Sequence, residues 1–122
     1  MKKRLNFFKD KKGYLFVYEK ENIKIKRVFV IKGNKNLTRG NHAHKNTVQI
    51  LININSKSKI LVINKNKKIV NFSKPGEYFI CPVKTWLKIN FIEEGSIMVL
   101  CNKKYNKLDY INNFETFKKL YS

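Results

Sequence analysis

The sequence RGNHAHK at residues 39–45 immediately precedes VQILINI at 48–54, an apolar run typical of a buried β-strand. Both histidines of the chain lie in the first segment. If His42 and His44 begin a strand, its two-residue period places both imidazoles on one face. Because histidine titrates near neutral pH, such a pair can give and take protons. Spacing alone fits equally well two histidines that only hydrogen-bond at a strand end.

Most of the remaining chain also predicts short strands separated by polar turns. The strand-like segments are 5–8, 14–18, 23–31, 60–63, 68–72, 78–81, 86–91 and 96–101. A charged turn is expected at 19–22, and only the end is helix-like, with one turn at 107–111 and a short helix at 113–121. This pattern predicts an all-β fold, a jelly roll or barrel, with a short C-terminal helix.

Length and composition indicate a single globular domain over residues 1–122. The apolar fraction of 43% and aromatic fraction of 13% predict a real hydrophobic core. No run of about 18 apolar residues occurs, so no membrane span is expected, and the basic start lacks the apolar segment of a signal peptide. Cys81 and Cys101 both lie in apolar strand-like runs, which favours free core thiols and a cytoplasmic location.

The formal net charge of +19 raises the question of nucleic-acid binding. The charge is almost all lysine, spread along the chain, and Arg4, Arg27 and Arg39 are its only arginines. Base recognition and bidentate phosphate contacts favour arginine. The pattern therefore favours a solvated basic surface over a specific nucleic-acid site, together with a moderate attraction to polyanions such as nucleotide phosphates.

A histidine pair that opens a strand of a small jelly roll resembles the cupins, many of which bind a metal. That resemblance implies two further ligands, a glutamate a few residues later and a third histidine. This chain has Gln49 at the glutamate position and no third histidine. An amide is a poor substitute for a carboxylate ligand, so we predict no metal and both histidines free for proton chemistry.

A more specific resemblance is to the WxcM-like cupins, and within them to the dTDP-sugar 3,4-ketoisomerases. The matching blocks cover nearly all of the chain after residue 24, and the histidine block is the most specific. They are Arg27-Val28-Phe29, residues 39–45, Gln49, Pro82 with Trp86, and Tyr105 with Asp109-Tyr110-Ile111 and Phe114.

The resemblance implies a cofactor-independent isomerase that moves the carbonyl of dTDP-4-keto-6-deoxyglucose from carbon 4 to carbon 3 through an enediol. The product then supplies 3-amino-3,6-dideoxyhexoses for surface glycans, such as lipopolysaccharide. Members of the family are homodimers with exchanged strands. The implied partner is therefore a dTDP-linked 4-keto-6-deoxy sugar, with no specific nucleic acid and no membrane.

His42 and His44 are the candidate acid/base pair, and which of them acts first does not follow from the sequence. Four further residues are candidates for substrate binding, namely Arg39, Gly40, Gln49 and Trp86. Arg39 equally fits a structural role beside a β-bulge, and Trp86 fits either stacking on thymine or filling the core. We expect Tyr105, Asp109 and Tyr110 to shape the packing of the C-terminal region.

The chain departs from the family pattern in three places, with Ser56-Lys57 where a Gly-Ser turn is usual, Phe29 and Val30 where a tyrosine is usual, and Asn112 in place of an arginine. These departures leave a second hypothesis, a non-catalytic cupin that binds a nucleotide sugar. A third is a basic nucleic-acid-binding β-barrel, which rests on charge and aromatic content alone. The configuration of the product at carbon 4, galacto or gluco, stays open.

Overall fold

The computed structural model describes residues 1–19 and 22–121, so the predicted turn at 19–22 lies partly outside the described residues. Within them the chain is almost entirely short strands. The elements are β1 (Lys3–Arg4), β2 (Asn6–Asp10), β3 (Gly13–Val17), β4 (Arg27–Gly33), β5 (Thr38–His44), β6 (Gln49–Asn53), β7 (Lys57–Ile63), β8 (Lys67–Phe72), β9 (Glu77–Cys81), β10 (Trp86–Glu93), β11 (Gly95–Cys101), a 3₁₀ turn (Lys107–Asp109), β12 (Tyr110–Ile111) and helix α1 (Phe114–Tyr121).

The strands form two five-stranded antiparallel sheets that pack face to face. One sheet has the order β1-β9-β6-β11-β4 and the other β12-β5-β10-β7-β8, while β2 and β3 form a separate hairpin. Neighbours within each sheet are mostly distant in sequence, as expected for a jelly roll rather than a meander. The prediction of an all-β jelly roll with a short C-terminal helix is confirmed.

Strand β6 is buried at all five positions because it lies at the centre of the first sheet and is covered on both faces. Leu51 points into the core between the sheets. Ile50 and Ile52 point the other way and pack against Leu5 and Phe16 of the N-terminal segment. This double cover explains why the run at 48–54 is almost continuously apolar.

Helix α1 covers the outer face of the second sheet. Asn113 caps the helix, because its side-chain oxygen accepts a hydrogen bond from the Thr116 N–H at 3.0 Å. Phe117 is fully buried against Ala43 and Trp86 of the sheet beneath it. No helix among the described residues is long and apolar enough to cross a lipid bilayer.

Candidate active site

A cavity of about 330 Å³ lies between the two sheets, a volume that can hold part of a small-molecule ligand. Its walls are mainly apolar, and its polar groups come from both sheets. The polar residues that line it are Lys32, Arg39, His42, Gln49 and Tyr110, with Gly40 contributing backbone. Lys32 and Arg39 are exposed, whereas Gln49 is buried, so the cations lie toward the solvent side of the cavity.

A β-bulge in β5 brings Arg39 to the same face as His42. Leu87 of β10 pairs with His42, but the next residue, Lys88, pairs with Gly40, so Asn41 is an extra residue in β5. Asn41 and Gly40 both have positive φ, at 59° and 89°. The extra residue shifts the alternation of side chains by one position, and without it Arg39 would point away from the cavity.

His42 lines the cavity with one ring nitrogen already occupied. Its Nδ1 lies 3.2 Å from the Gly40 carbonyl oxygen, which can only accept, so Nδ1 carries the hydrogen. The free base is therefore Nε2. Burial lowers the pKa of His42, and the Arg27 cation lowers it further against the opposing effect of the Gly40 hydrogen bond, so the ring is neutral at neutral pH.

His44 lies beside His42 on the same face, with ring centroids 5.1 Å apart. Its Nδ1 donates to Oδ2 of Asp109 at 3.2 Å, and its Nε2 is buried without a partner. Burial is the main cause that lowers the pKa of His44, and the Asp109 carboxylate only partly offsets it. The two imidazoles share a face, as the strand period predicted, and both are neutral. His42 lines the cavity, whereas His44 is buried and is not part of its lining.

Asp109 is held by three donors. Its carboxylate accepts from the Asn46 N–H at 2.6 Å, from the Thr47 hydroxyl at 2.5 Å and from His44. Burial alone would raise the pKa of Asp109, but these three hydrogen bonds outweigh it and lower the pKa below the ordinary value. A charged carboxylate in this position fixes the hydrogen of His44 on Nδ1 and orients the ring.

Asp109 and Tyr110 were expected to shape the packing of the C-terminal region, and the structure in addition places both beside the histidines. Asp109 binds His44, and Tyr110 lines the cavity with its ring 5.1 Å from His42 and 4.3 Å from His44. The pairing of Tyr110 with His44 in the sheet brings both to the histidines. The only sequence signal was the Asp-Tyr-Ile block itself, since a two-residue strand has no periodicity to detect.

Trp86 is placed elsewhere, and the structure does not bring it together with the other predicted site residues. It pairs with Ala43, whose side chain points to the opposite face of β5 from the histidines. Its ring lies 5.2 Å from Phe114 and 5.7 Å from Phe117, beneath helix α1. The proposed stacking of Trp86 on a base is therefore corrected to the alternative role, a core side chain of the outer face.

The described residues contain no group of three or more histidine, cysteine, aspartate or glutamate side chains that could hold a metal ion. Gln49, at the position where metal-binding cupins have glutamate, donates its amide to Sγ of Cys101 at 3.8 Å. The absence of a metal stays a prediction, which metal analysis of the purified protein tests.

Comparison with known proteins gives a family match over nearly the entire chain. Residues 2–122 match the family model described as FdtA: WxcM-like, C-terminal. The chain is 32% identical over 125 residues to a TDP-4-oxo-6-deoxy-alpha-D-glucose-3,4-oxoisomerase of Aneurinibacillus thermoaerophilus, covering 96% of this chain and 90% of the relative.

Solved structures give the same result. QdtA of Thermoanaerobacterium thermosaccharolyticum, a sugar 3,4-ketoisomerase in complex with TDP, superimposes with a TM-score of 0.88 at 28% identity, over 99% of this chain and 93% of that one. A histidine-to-asparagine variant of QdtA in complex with TDP-4-keto-6-deoxyglucose gives a TM-score of 0.89 at 28% identity, over 99% and 92% of the two chains. Both support the predicted cupin-like architecture.

Proposed function

Because the chain belongs to the WxcM-like family of FdtA proteins, we propose that it is a sugar-nucleotide 3,4-ketoisomerase that converts dTDP-4-keto-6-deoxyglucose to the 3-keto sugar. The observation that carries the proposal is the neutral histidine pair at the cavity, with Nε2 of His42 free. A free imidazole nitrogen is the group that this isomerisation needs, since a proton must leave one carbon and reach its neighbour.

In the proposed mechanism, Nε2 of His42 removes the proton on carbon 3, which is acidified by the carbonyl at carbon 4. The resulting enediol then receives a proton at carbon 4, while the oxygen on carbon 3 becomes the new carbonyl. We assign the carbon proton to His42 because it lines the cavity, whereas His44 is buried behind it. His44, oriented by Asp109, supports the position of the His42 ring.

The cations of the cavity support recognition of a nucleotide sugar. Arg39 and Lys32 line the same cavity as His42, and none of the described residues in its lining is acidic. Outside the lining, Lys32 pairs with Glu94 at 2.9 Å. We assign the diphosphate of the substrate to this side, with Arg39 as the principal contact because its planar group matches phosphate oxygens. The sugar would then lie deeper, beside His42 and Gln49.

We also propose that two copies of the chain form a homodimer with exchanged strands. Strand β4 is an edge strand, and its Val28 and Val30 are 55% and 56% exposed. The hairpin of β2 and β3 exposes Phe8 and Leu15 in the same way. An apolar open edge is a liability in a monomer, and a second copy would cover it. A monomer in sedimentation velocity at micromolar concentration would contradict this proposal.

We place the reaction in the cytoplasm, where thiols stay reduced, because Cys81 and Cys101 are both unpaired and buried. The 3-keto product is a substrate for an aminotransferase, and we assign the activity to the synthesis of 3-amino-3,6-dideoxyhexoses for surface glycans. This downstream assignment rests on the family resemblance.

The direct test of function is conversion of the substrate. Wild-type protein incubated with dTDP-4-keto-6-deoxyglucose should yield a 3-keto sugar, trapped as a 3-amino sugar by an aminotransferase specific for it. The matched control without the isomerase should yield none. If the wild-type protein binds the nucleotide sugar but no 3-amino product forms, the chain is a binding protein, and the proposal is wrong.

A further inference from the structure

We propose that Tyr110 is a second catalytic residue of this site, whose hydroxyl exchanges a proton with the sugar oxygens while His42 exchanges one with the sugar carbons. The inference rests on the proposed function and deepens it by naming the group that acts on oxygen. It follows from the position of Tyr110, from its contact with Arg27 and from the composition of the cavity wall.

Tyr110 stands beside both histidines on the cavity face. It begins β12 and pairs directly with His44 of β5, and paired residues share a face of the sheet. Its ring centroid lies 5.1 Å from that of His42 and 4.3 Å from that of His44. A sugar ring that meets Nε2 of His42 would therefore also meet the phenol.

The hydroxyl of Tyr110 has its hydrogen available for a ligand. Nη2 of Arg27 lies 3.3 Å from the hydroxyl oxygen, and a guanidinium can only donate, so the oxygen accepts in this contact. Across residues 1–19 and 22–121, the Tyr110 hydroxyl makes no other hydrogen bond. The O–H is therefore free to donate to a ligand bound in the cavity that Tyr110 lines.

Arg27 supplies a fixed positive charge at the phenol oxygen. The guanidinium is partly buried, donates also to Sγ of Cys101 at 3.6 Å and lies 5.1 Å from the ring centre of Phe29. Burial works to lower the pKa of Arg27, and the hydrogen bonds to Tyr110 and Cys101 more than offset it, so the group stays charged. A preorganised cation stabilises the negative charge that develops on the phenol oxygen as its proton leaves.

Among the described residues that line the cavity, Tyr110 is the only one with a side-chain hydroxyl. Phe29 and Val30, on the opposite wall, have none. His42 exchanges its proton with the sugar carbons, and the amide of Gln49 is neither an effective acid nor an effective base at neutral pH. Lys32 and Arg39, which also line the cavity, are assigned to the diphosphate, so we assign the oxygen chemistry of the reaction to Tyr110.

The proton balance closes with two residues. In the first half, Nε2 of His42 takes the proton from carbon 3, the C3–C4 enediol forms, and the Tyr110 hydroxyl gives its proton to the oxygen on carbon 4. In the second half, protonated His42 gives its proton to carbon 4, and the phenolate of Tyr110 takes the proton from the hydroxyl on carbon 3. Carbon 4 is reduced, carbon 3 is oxidised, and both residues return to their starting states.

The test compares Tyr110→Phe with Tyr105→Phe. Tyr105 is a matched control because its ring lies 5.6 Å from that of Tyr110, yet it is exposed and does not line the cavity. We measure kcat and KM for dTDP-4-keto-6-deoxyglucose and the isotope effect with substrate deuterated at carbon 3, after checking each fold by near-UV circular dichroism.

Tyr110→Phe should lower kcat by about 10²- to 10⁴-fold with little change in KM, the range for loss of general acid–base catalysis. Tyr105→Phe should stay within about twofold of wild type. Phenylalanine keeps the ring contacts with both histidines, so a merely structural Tyr110 would keep its kcat. Equal kcat in the two folded variants would overturn the proposal, whereas an inactive wild-type protein would overturn the proposed function itself.

Discussion

Nδ1 of His44 donates a hydrogen bond to Oδ2 of Asp109 at 3.2 Å, across 65 positions of the chain. The contact joins β5, the strand that carries both histidines, to the 3₁₀ turn that begins the C-terminal region. Since Asp109 also accepts from Asn46 and Thr47, one carboxylate ties the end of β5 and the following loop to the base of β12. The junction thus holds His44 beside the strand that begins with Tyr110.

Asp109→Asn should destabilise the fold by about 1–3 kcal/mol, because an amide cannot accept from all three donors and leaves at least one buried group unpaired. It should also lower kcat, since the hydrogen of His44 is no longer held on Nδ1. The measurement is urea unfolding together with steady-state kinetics. Asp10→Asn is the matched control, because Asp10 is exposed and its side chain accepts a single local hydrogen bond among the described residues, from the Lys12 N–H. Equal losses in both variants would contradict the role given to Asp109.

The pH dependence of kcat/KM should have an acid limb with its midpoint below 6.5. The active form of His42 is neutral, protonation at low pH inactivates it, and burial lowers its pKa from the ordinary value of 6.5. An acid limb at or above 6.5 would be inconsistent with a buried, neutral His42.

The free energy of unfolding should also decrease at low pH. The pKa of His44 is also lowered in the folded state, so below pH 6.5 the unfolded chain binds more protons than the folded chain. The free energy of unfolding therefore falls as the pH decreases in this range.

Gly40→Ala should destabilise the protein by about 1–3 kcal/mol and reduce kcat/KM, because Gly40 has φ +89° and an added Cβ would lie 2.9 Å from the Leu87 carbonyl oxygen. The strain falls on the bulge that holds the acceptor for Nδ1 of His42. Asn41→Gly is the contrasting variant, since glycine adopts the φ of 59° at that position more easily and should keep the bulge. Thermal unfolding and kinetics of both variants test this difference, and an unaffected Gly40→Ala would show that the bulge is not needed.

The sequence predicted the parts of this site that depend on local periodicity. Alternation placed His42 and His44 on one face, and the apolar run after them predicted the buried strand β6. The position of Arg39 depended on a bulge, which breaks the alternation by one residue. The Gly40-Asn41 pair is a turn signal inside a strand, and it was the available indication of that bulge.

The contributions of Asp109 and Tyr110 could not be predicted from periodicity, because β12 has only two residues and its pairing with β5 is a long-range contact. The position of Trp86 could not be predicted for a related reason. Its strand was predicted, but the face on which it lies depends on its pairing with Ala43 and on the packing of helix α1. Local sequence thus predicts strands and shared faces, whereas tertiary pairing decides which groups meet at the cavity.

The central claim is that His42 moves the proton between the two sugar carbons, and hydrogen exchange measures that step directly. In deuterated water, wild-type protein should introduce deuterium at carbon 3 of dTDP-4-keto-6-deoxyglucose and at carbon 4 of the 3-keto product, and proton NMR measures both. His42→Asn should slow this exchange by about 10²- to 10⁴-fold, and His44→Asn should slow it less. Exchange at the wild-type rate in a folded His42→Asn variant would contradict the account.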